Sequence, residues 1–365
     1  MNKVITILHL IPTLEIGGAE RQLALLCLEQ ARKGHDVHVA VRRTGEFANL
    51  IDSRRVRIHI IGDYAGLSPF LFFRLNRLIA KISPTILQTW LTQMDIVGGA
   101  AALFNRIPWI ATERSSLEFY NKDHRSVYNF LRRKIMNFSS AIVANSYDGT
   151  EMWENILPCH PIFFVGNAVD FDDIARSMVA ADIAGEGSNV LMVGRLIKSK
   201  GFIQVLEAIS ELPDNLNLRF KIIGQGPLAD EIAAQIEMLN LIERVQLIQN
   251  RSEWWPELAN AKLLISMSRF EGTPNVTIEA AASGCPVLLS DIPAHRGIFN
   301  DDSALFVELG NRSALIEAIE NLFEDYPGAL KRAQNAKQIV MKMSVVELVN
   351  LYSDIYEKVS SPLSR

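Results

Sequence analysis

Residues 268–291 read SRFEGTPNVTIEAAASGCPVLLSD. Two apolar runs frame the stretch, Ala261–Met267 before it and Pro286–Leu289 near its end. Short continuous apolar runs of this kind read as buried parallel strands. Parallel neighbours need a crossover, so a loop and a helix must lie between them. Thr273 followed by Pro274 predicts where that helix starts: a hydroxyl to cap it, then a residue with no N–H to leave unpaired. Glu271 and Gly272 stand on the open loop upstream. Ala280, Ala281, Ala282, Ser283 and Gly284 form a small-residue end that can pack close to a sheet. The helix N-terminus presents N–H groups and partial positive charge above the strand ends. Glu271 and Glu279 are spaced so that one carboxylate meets the front of a ligand and the other a more distant part.

At 365 residues the chain suits two domains. A hydrophobic fraction of 48% with 21% charged residues is globular. A net charge of −4 gives no bulk affinity for polyanions, nucleic acid included, so any basic surface must be local. Cys27, Cys159 and Cys285 are far apart, make no metal spacing and cannot all pair, which points to a reducing, cytoplasmic compartment. The apolar run in the first ten residues ends at Ile11-Pro12 without a small-residue cleavage site and reads as a strand. No apolar segment approaches the ~18–20 residues of a membrane span.

The first half opens with a β-α-β pattern: strand Lys3–Leu10, helix Ala19–Lys33, strand Asp36–Val41. Between the first two, Gly17 and Gly18 let an anion approach backbone amides at a helix start. Gln88, Trp90 and Gln93 crowd a later strand end, where ligands bind in open α/β sheets. The strand Pro108–Thr112 ends in Glu113 and Arg114. Residues 163–170 read FFVGNAVD, and Asp170-Phe171-Asp172 has the D-x-D form of a metal motif, though no nucleotide-binding unit precedes it.

In the second half, strand Asn189–Val193 leads into Gly194, Arg195, Lys200 and Gly201, a loop able to set two cations on a diphosphate. Strand Arg219–Ile223 leads into Gly224-Gln225-Gly226, which fits G-x-G-x-x-A. A nicotinamide site would also want an acid at the end of the next strand, but Asn250 and Arg251 stand there.

Glu271, Gly272, Pro274, Glu279, Ala280 and Gly284, in an E-x7-E pattern, resemble the donor site of the retaining, nucleotide-sugar-dependent glycosyltransferases of family four. The G-R-x4-K-G loop at residues 194–201, the Gly-Gly turn and the N-A-V-D segment agree with it. The resemblance implies an α/β chain of GT-B fold: two doubly wound Rossmann-like domains facing a cleft, with a C-terminal helix crossing back to the first. The expected division is an acceptor domain at 1–170, a linker at 171–188, a donor domain at 189–343, and the crossover helix and tail at 344–365. It implies catalytic roles for Glu271 on the sugar and for Arg195 and Lys200 on the departing diphosphate. Donor contacts would come from Gly17, Gly18, Gly194, Gly224, Gly226, Asn250, Arg251, Gly272, Thr273, Pro274, Asn275, Val276 and Glu279, the last holding the ribose. Trp90, Glu113 and Arg114 are candidate acceptor or sugar contacts, and Arg114 occupies the position of a His that much of the family carries. No metal and no cofactor is expected. The partners would be a nucleoside-diphosphate sugar and a glycan or lipid-linked glycan acceptor. The alternatives are a nucleotide-sugar epimerase of the same fold and, more remotely, a dinucleotide-dependent oxidoreductase.

Phe119–Phe138 adds a local basic surface, with Lys122, Arg125, Arg132, Arg133 and Lys134 opposed only by Asp123. Tyr128, Leu131, Ile135 and Phe138 recur at helical steps and predict an apolar face, with the basic side chains opposite it. Aromatics beside Lys and Arg suit an anionic membrane surface, the inner face of a bilayer.

Overall fold

A computed structural model of the chain describes residues 4–15, 17–49, 51, 55–62, 67–114, 127–179, 188–249 and 254–360. It divides into two compact units, Met1–Ala168 with Val345–Arg365, and Val169–Ser344.

The first unit alternates β1 (Thr6–Ile11), α1 (Gly18–Arg32), β2 (Asp36–Val41), β3 (Val56–Ile60), α2 (Pro69–Ile82), β4 (Ile86–Trp90), α3 (Thr92–Asn105), β5 (Trp109–Glu113), α4 (Val127–Met136), β6 (Ala141–Ala144), α5 (Tyr147–Ile156) and β7 (Ile162–Phe164). The strands form one parallel sheet in the order β3-β2-β1-β4-β5-β6-β7. The second unit runs through α6 (Phe171–Val179), β8 (Ser188–Val193), α7 (Phe202–Glu211), β9 (Leu218–Ile223), α8 (Ala229–Met238), β10 (Val245–Ile248), β11 (Ala261–Ser266), α9 (Asn275–Ser283), β12 (Val287–Ser290), α10 (Pro293–Arg296), β13 (Leu305–Val307), α11 (Arg312–Glu324) and α12 (Tyr326–Val340). Its parallel sheet has the order β10-β9-β8-β11-β12-β13. Strand order reverses between β1 and β4 in one sheet and between β8 and β11 in the other. Loops that leave the strand ends at such reversals diverge and open a crevice for a ligand.

The inner strands are largely apolar because helices cover both faces of a parallel sheet. β5 and β6 are buried at every position and β12 likewise. The last helix, α13 (Val345–Ser360), belongs to the first unit and packs on α1. Val349, Tyr352, Ile355 and Tyr356 join the core built on β1 and β2. A buried polar chain anchors it: Gln30 Nε2 donates to the Tyr356 hydroxyl at 2.9 Å, and that hydroxyl donates to Gln88 Oε1. His9 Nε2 meets Gln30 Oε1 at 2.8 Å, and Trp90 Nε1 donates to His9 Nδ1 at 3.3 Å. Burial pushes His9 down to about 4 against the bond to Gln30, so the ring is neutral and can accept from Trp90.

Two expectations change here. Residues 171–179 of the expected linker are helix α6, with Ile174 buried. The D-x-D pair starts it: Asp170 Oδ1 accepts from the Asp173 amide at 2.9 Å, the geometry of a cap. Helix α4 is turned the other way round from its apolar periodicity. Asn129, Arg132 and Met136 face inward, while Tyr128, Leu131 and Phe138 are exposed. Phe119, Tyr120, Lys122, Asp123 and Arg125 lie outside the described residues.

Candidate functional site

Two loops leave the reversal point of the second sheet. The first follows β8 and carries Gly194, Arg195 and Lys200; the second follows β11 and carries Ser268, Glu271 and Gly272. They are built to lie close together. A Cβ on Gly201 would stand 2.3 Å from the Met267 carbonyl oxygen, and its φ of +72° already favours glycine. The Arg269 amide donates to Ser199 O at 2.7 Å, which ties the loops backbone to backbone. The result is an ion pair between Lys200 Nζ and Glu271 Oε1. Ser268 Oγ donates to the same carboxylate oxygen at 2.7 Å. Arg195 is exposed on the first loop.

Gly224 and Gly226 follow β9 and serve this packing. A Cβ on Gly224 would meet the Gly194 carbonyl oxygen at 1.9 Å, and one on Gly226 would meet Leu196 O at 2.5 Å. The Leu196 amide donates to Gln225 O at 2.8 Å. These glycines let two strand-end loops stack, which shapes the crevice floor.

Helix α9 begins beside Glu271. The expected Thr273 hydroxyl cap is not made. Pro274 is the cap residue, and no side chain caps the helix among the described residues. The turn is closed instead by backbone, the Asn275 amide donating to Thr273 O at 2.9 Å. The first turn of α9 sets its N–H groups, the positive pole of the helix, at Asn275 and Val276. Glu279, one turn in, is 4% exposed and accepts from Trp255 Nε1 at 2.9 Å. Asn250 and Arg251 lie outside the described residues.

One residue of this region carried no sequence signal. His295 sits on α10 with no exposed surface, and its Nδ1 is 2.9 Å from Ser290 O. Its ring feels both Glu271 and Lys200.

The first unit holds the other expected contacts. Gly17 is the cap residue of α1, and the Glu20 carboxylate folds back over it: a Cβ on Gly17 would be 2.2 Å from Glu20 Oε2. Burial raises the Glu20 carboxyl against a hydrogen bond to its own backbone amide. An anion at Gly17 and Gly18 would have to displace this carboxylate. Trp90 is fully buried in the core, so it is no contact for a sugar or acceptor in this arrangement.

Glu113 is also corrected. It is fully buried and belongs to a charge cluster under the strand ends. Arg132 Nη1 meets Glu113 Oε2 at 2.7 Å, and Arg132 Nε meets Asp95 Oδ2 at 2.7 Å. Trp153 Nε1 donates to Glu113 at 3.0 Å and Thr89 Oγ1 donates to Asp95 at 2.6 Å. One guanidinium serves two carboxylates, and burial pushes Asp95 up to about 6 despite Arg132 beside it. Arg114 is held by its neighbours: it donates to Asn167 Oδ1 at 2.5 Å and to the Tyr352 hydroxyl at 3.3 Å, with its guanidinium 4.5 Å from the Trp90 ring centroid. It braces the strand end against α13.

A family model described as Glycosyltransferase Family 4 matches residues 16–173, and one described as Glycosyl transferases group 1 matches residues 174–339. The chain is 34% identical over 161 residues to an N-acetylgalactosamine-N,N'-diacetylbacillosaminyl-diphospho-undecaprenol 4-alpha-N-acetylgalactosaminyltransferase of Campylobacter jejuni, a match spanning 44% of this chain and 43% of that protein. It is 26% identical over 350 residues to a second Campylobacter jejuni enzyme, a GalNAc-alpha-(1->4)-GalNAc-alpha-(1->3)-diNAcBac-PP-undecaprenol alpha-1,4-N-acetyl-D-galactosaminyltransferase, covering 90% of this chain and 92% of that one. The fold resembles Anabaena HepE, solved with UDP and glucose, with a TM-score of 0.81 at 18% identity over 97% of this chain and 99% of the other.

Proposed function

The chain belongs to the family-four glycosyltransferases of GT-B fold, and on that premise we propose that it transfers a sugar from UDP to a hydroxyl of a glycan carried on a lipid diphosphate, with retention. The observation that carries the reading is the Lys200–Glu271 pair, set where the second sheet reverses its strand order and beside the N-terminus of α9. Loss of the diphosphate concentrates negative charge on its oxygens. Lys200, Arg195 and the α9 amides supply positive charge there, and electrostatic stabilisation of this kind is the largest single term in many such steps. Glu271 holds the sugar hydroxyls and Glu279 the ribose. The cations stand in for a metal, so activity should survive excess chelator. The two relatives named above, one matched over 43% of its length and the other over 92%, carry names of transferases that act on undecaprenyl-diphosphate-linked substrates, which favours transfer over epimerisation. Release of UDP from UDP-galactose or UDP-N-acetylgalactosamine, accelerated by a polyprenyl-diphosphate-linked saccharide, tests the reading; no turnover of any UDP-sugar would sink it.

Glu271→Ala should lower kcat by ~100-fold or more, ~2.7 kcal/mol of barrier. UDP affinity should hold or rise, because the carboxylate that competes with a diphosphate for Lys200 is gone. Near-wild-type turnover would remove Glu271 from the site.

We further propose that the first unit docks on an anionic membrane through α2, α3 and α4. Helix α3 packs against both of the others. Phe70, Phe73, Phe104, Val127, Phe130 and nearby Phe138 are each more than half exposed. Arg74, Arg77, Lys81, Arg106, Arg133 and Lys134 are exposed among them, and the one acid in the three helices, Asp95, is buried. Among the described residues no helix is long and apolar enough to cross a membrane, so attachment would be at the surface. Each basic residue near such a surface is worth ~1 kcal/mol. Arg133→Ser with Lys134→Ser should weaken binding to phosphatidylserine vesicles by roughly 30-fold at low salt, with UDP binding intact. Wild-type protein that ignores such vesicles at low salt would make a soluble acceptor the better reading.

A further inference from the structure

His295 holds one ring nitrogen in a bond and the other in none. Nδ1 faces two oxygens of Ser290, the carbonyl at 2.9 Å and Oγ at 3.3 Å. A carbonyl only accepts, so Nδ1 carries the proton and Nε2 keeps its lone pair. Nε2 is buried and has no hydrogen-bond partner among the described residues. A buried polar atom left unpaired is costly and calls for an explanation. The placement is fixed from outside. Arg296, the next residue, donates from Nε and Nη2 to the two oxygens of Asp291 at 2.7 and 2.9 Å, and from Nη1 to Asp301 at 2.7 Å. It also lies 3.6 Å over the Phe306 ring, so α10 cannot easily turn His295 outward.

The surroundings name the missing partner. Ser290 Oγ donates to Ser268 O at 2.6 Å, and Ser268 Oγ holds Glu271. The ring is therefore wired to the strand end that carries the ion pair, and Glu271 and Lys200 both act on it, the first raising and the second lowering its pKa. Burial outweighs them and keeps the imidazole neutral. Lys200 has three N–H donors, and its hydrogen bond among the described residues is to Glu271. Among the described residues, then, a buried acceptor without a partner and a lysine with N–H groups to spare stand on the two sides of one strand-end hydrogen-bond chain.

We propose that His295 is a positioning residue for Lys200: its Nε2 is the seat that receives an ammonium N–H when a nucleoside diphosphate occupies the site. This rests on the donor reading above. In this structure Lys200 is neutralised by Glu271. When a diphosphate and its sugar arrive, Glu271 turns to the sugar and Lys200 to the phosphates. An ammonium between a neutral imidazole and phosphate oxygens keeps its full charge for them, which a second carboxylate would cancel.

The test is a double-mutant cycle read by UDP binding and by hydrolysis of UDP-galactose and UDP-N-acetylgalactosamine. His295→Phe should weaken UDP and lower kcat by about tenfold each, with the fold retained, since the loss of the Nδ1–H bond to Ser290 O is offset by removal of an unpaired polar atom. His295→Gln, which restores an acceptor near Nε2, should recover most of the loss. In a Lys200→Ala background, His295→Phe should cost less than twofold. The same tenfold loss in both backgrounds, or wild-type behaviour of His295→Phe, would overturn the proposal and leave the donor reading standing. Wild-type protein that binds no UDP would overturn both.

Discussion

Lys200→Ala is expected to reduce kcat by roughly 100- to 1,000-fold, the loss typical when one preorganised donor to a developing anion is removed. UDP should bind about tenfold more weakly, ~1.4 kcal/mol. The two effects differ because the ammonium meets more charge as the sugar–phosphate bond breaks than it meets in the bound donor. The structure adds a complication that kinetics can resolve. Glu271, whose side chain is 14% exposed, loses its counter-ion in the variant. Part of the loss is then a misplaced carboxylate. Lys200→Ala combined with Glu271→Ala should therefore lose less than the sum of the two single changes. Strict additivity would mean that the pair acts as two separate contacts, and unchanged kinetics for Lys200→Ala would return the loop to ordinary surface.

Arg132→Met is expected to destabilise the protein by about 3–5 kcal/mol. The guanidinium is 1% exposed and its two carboxylate partners are buried with it. Methionine fills much of the volume but leaves Asp95 and Glu113 as uncompensated charges beside each other. The sign of the pH dependence follows. Asp95 is already pushed up to about 6, so its contribution favours the folded state at low pH and is lost as pH rises through that value. Without Arg132, which lowers it, the Asp95 carboxyl gains its proton more readily still. The deficit of the variant in urea unfolding should be largest above pH 7 and shrink toward pH 5. A variant as stable as wild type at pH 8 would show that the cluster does not hold the unit together.

Much of the architecture could be read from the residues. Parallel strands covered on both faces leave continuous apolar runs, and Ala261–Met267 and Pro286–Leu289 are such runs. The loop chemistry was equally open: the Gly194–Gly201 segment and the Glu271–Glu279 spacing marked two loops that do meet. What stayed hidden depends on partners distant in sequence. Periodicity assigns Arg132 to the wet face of its helix because Arg is usually exposed. Its burial is decided by Asp95, 37 positions earlier, and Glu113, 19 earlier. A carboxylate ending a fully buried strand was the available hint, since a buried charge demands a counter-charge. Trp90 could be core or contact until the His9 bond placed it inside. His295 had no local pattern at all; its meaning lies in an atom that lacks a partner.

The first unit takes one of its helices from the far end of the chain, and this orders its synthesis. Val169–Ser344 is continuous, and its ends already touch: the Val169 amide donates to Met343 O at 2.8 Å and pairs with Ser344. On the ribosome this second half can close as soon as it emerges. β1, β2 and β4 have left the tunnel long before, yet the core that should receive Val349, Tyr352 and Tyr356 is still open. Exposed apolar surface of this kind makes a nascent chain prone to aggregate and to need chaperones. A premature stop before α13 would thus spare the later-made half and leave the earlier-made half as the one a protease finds.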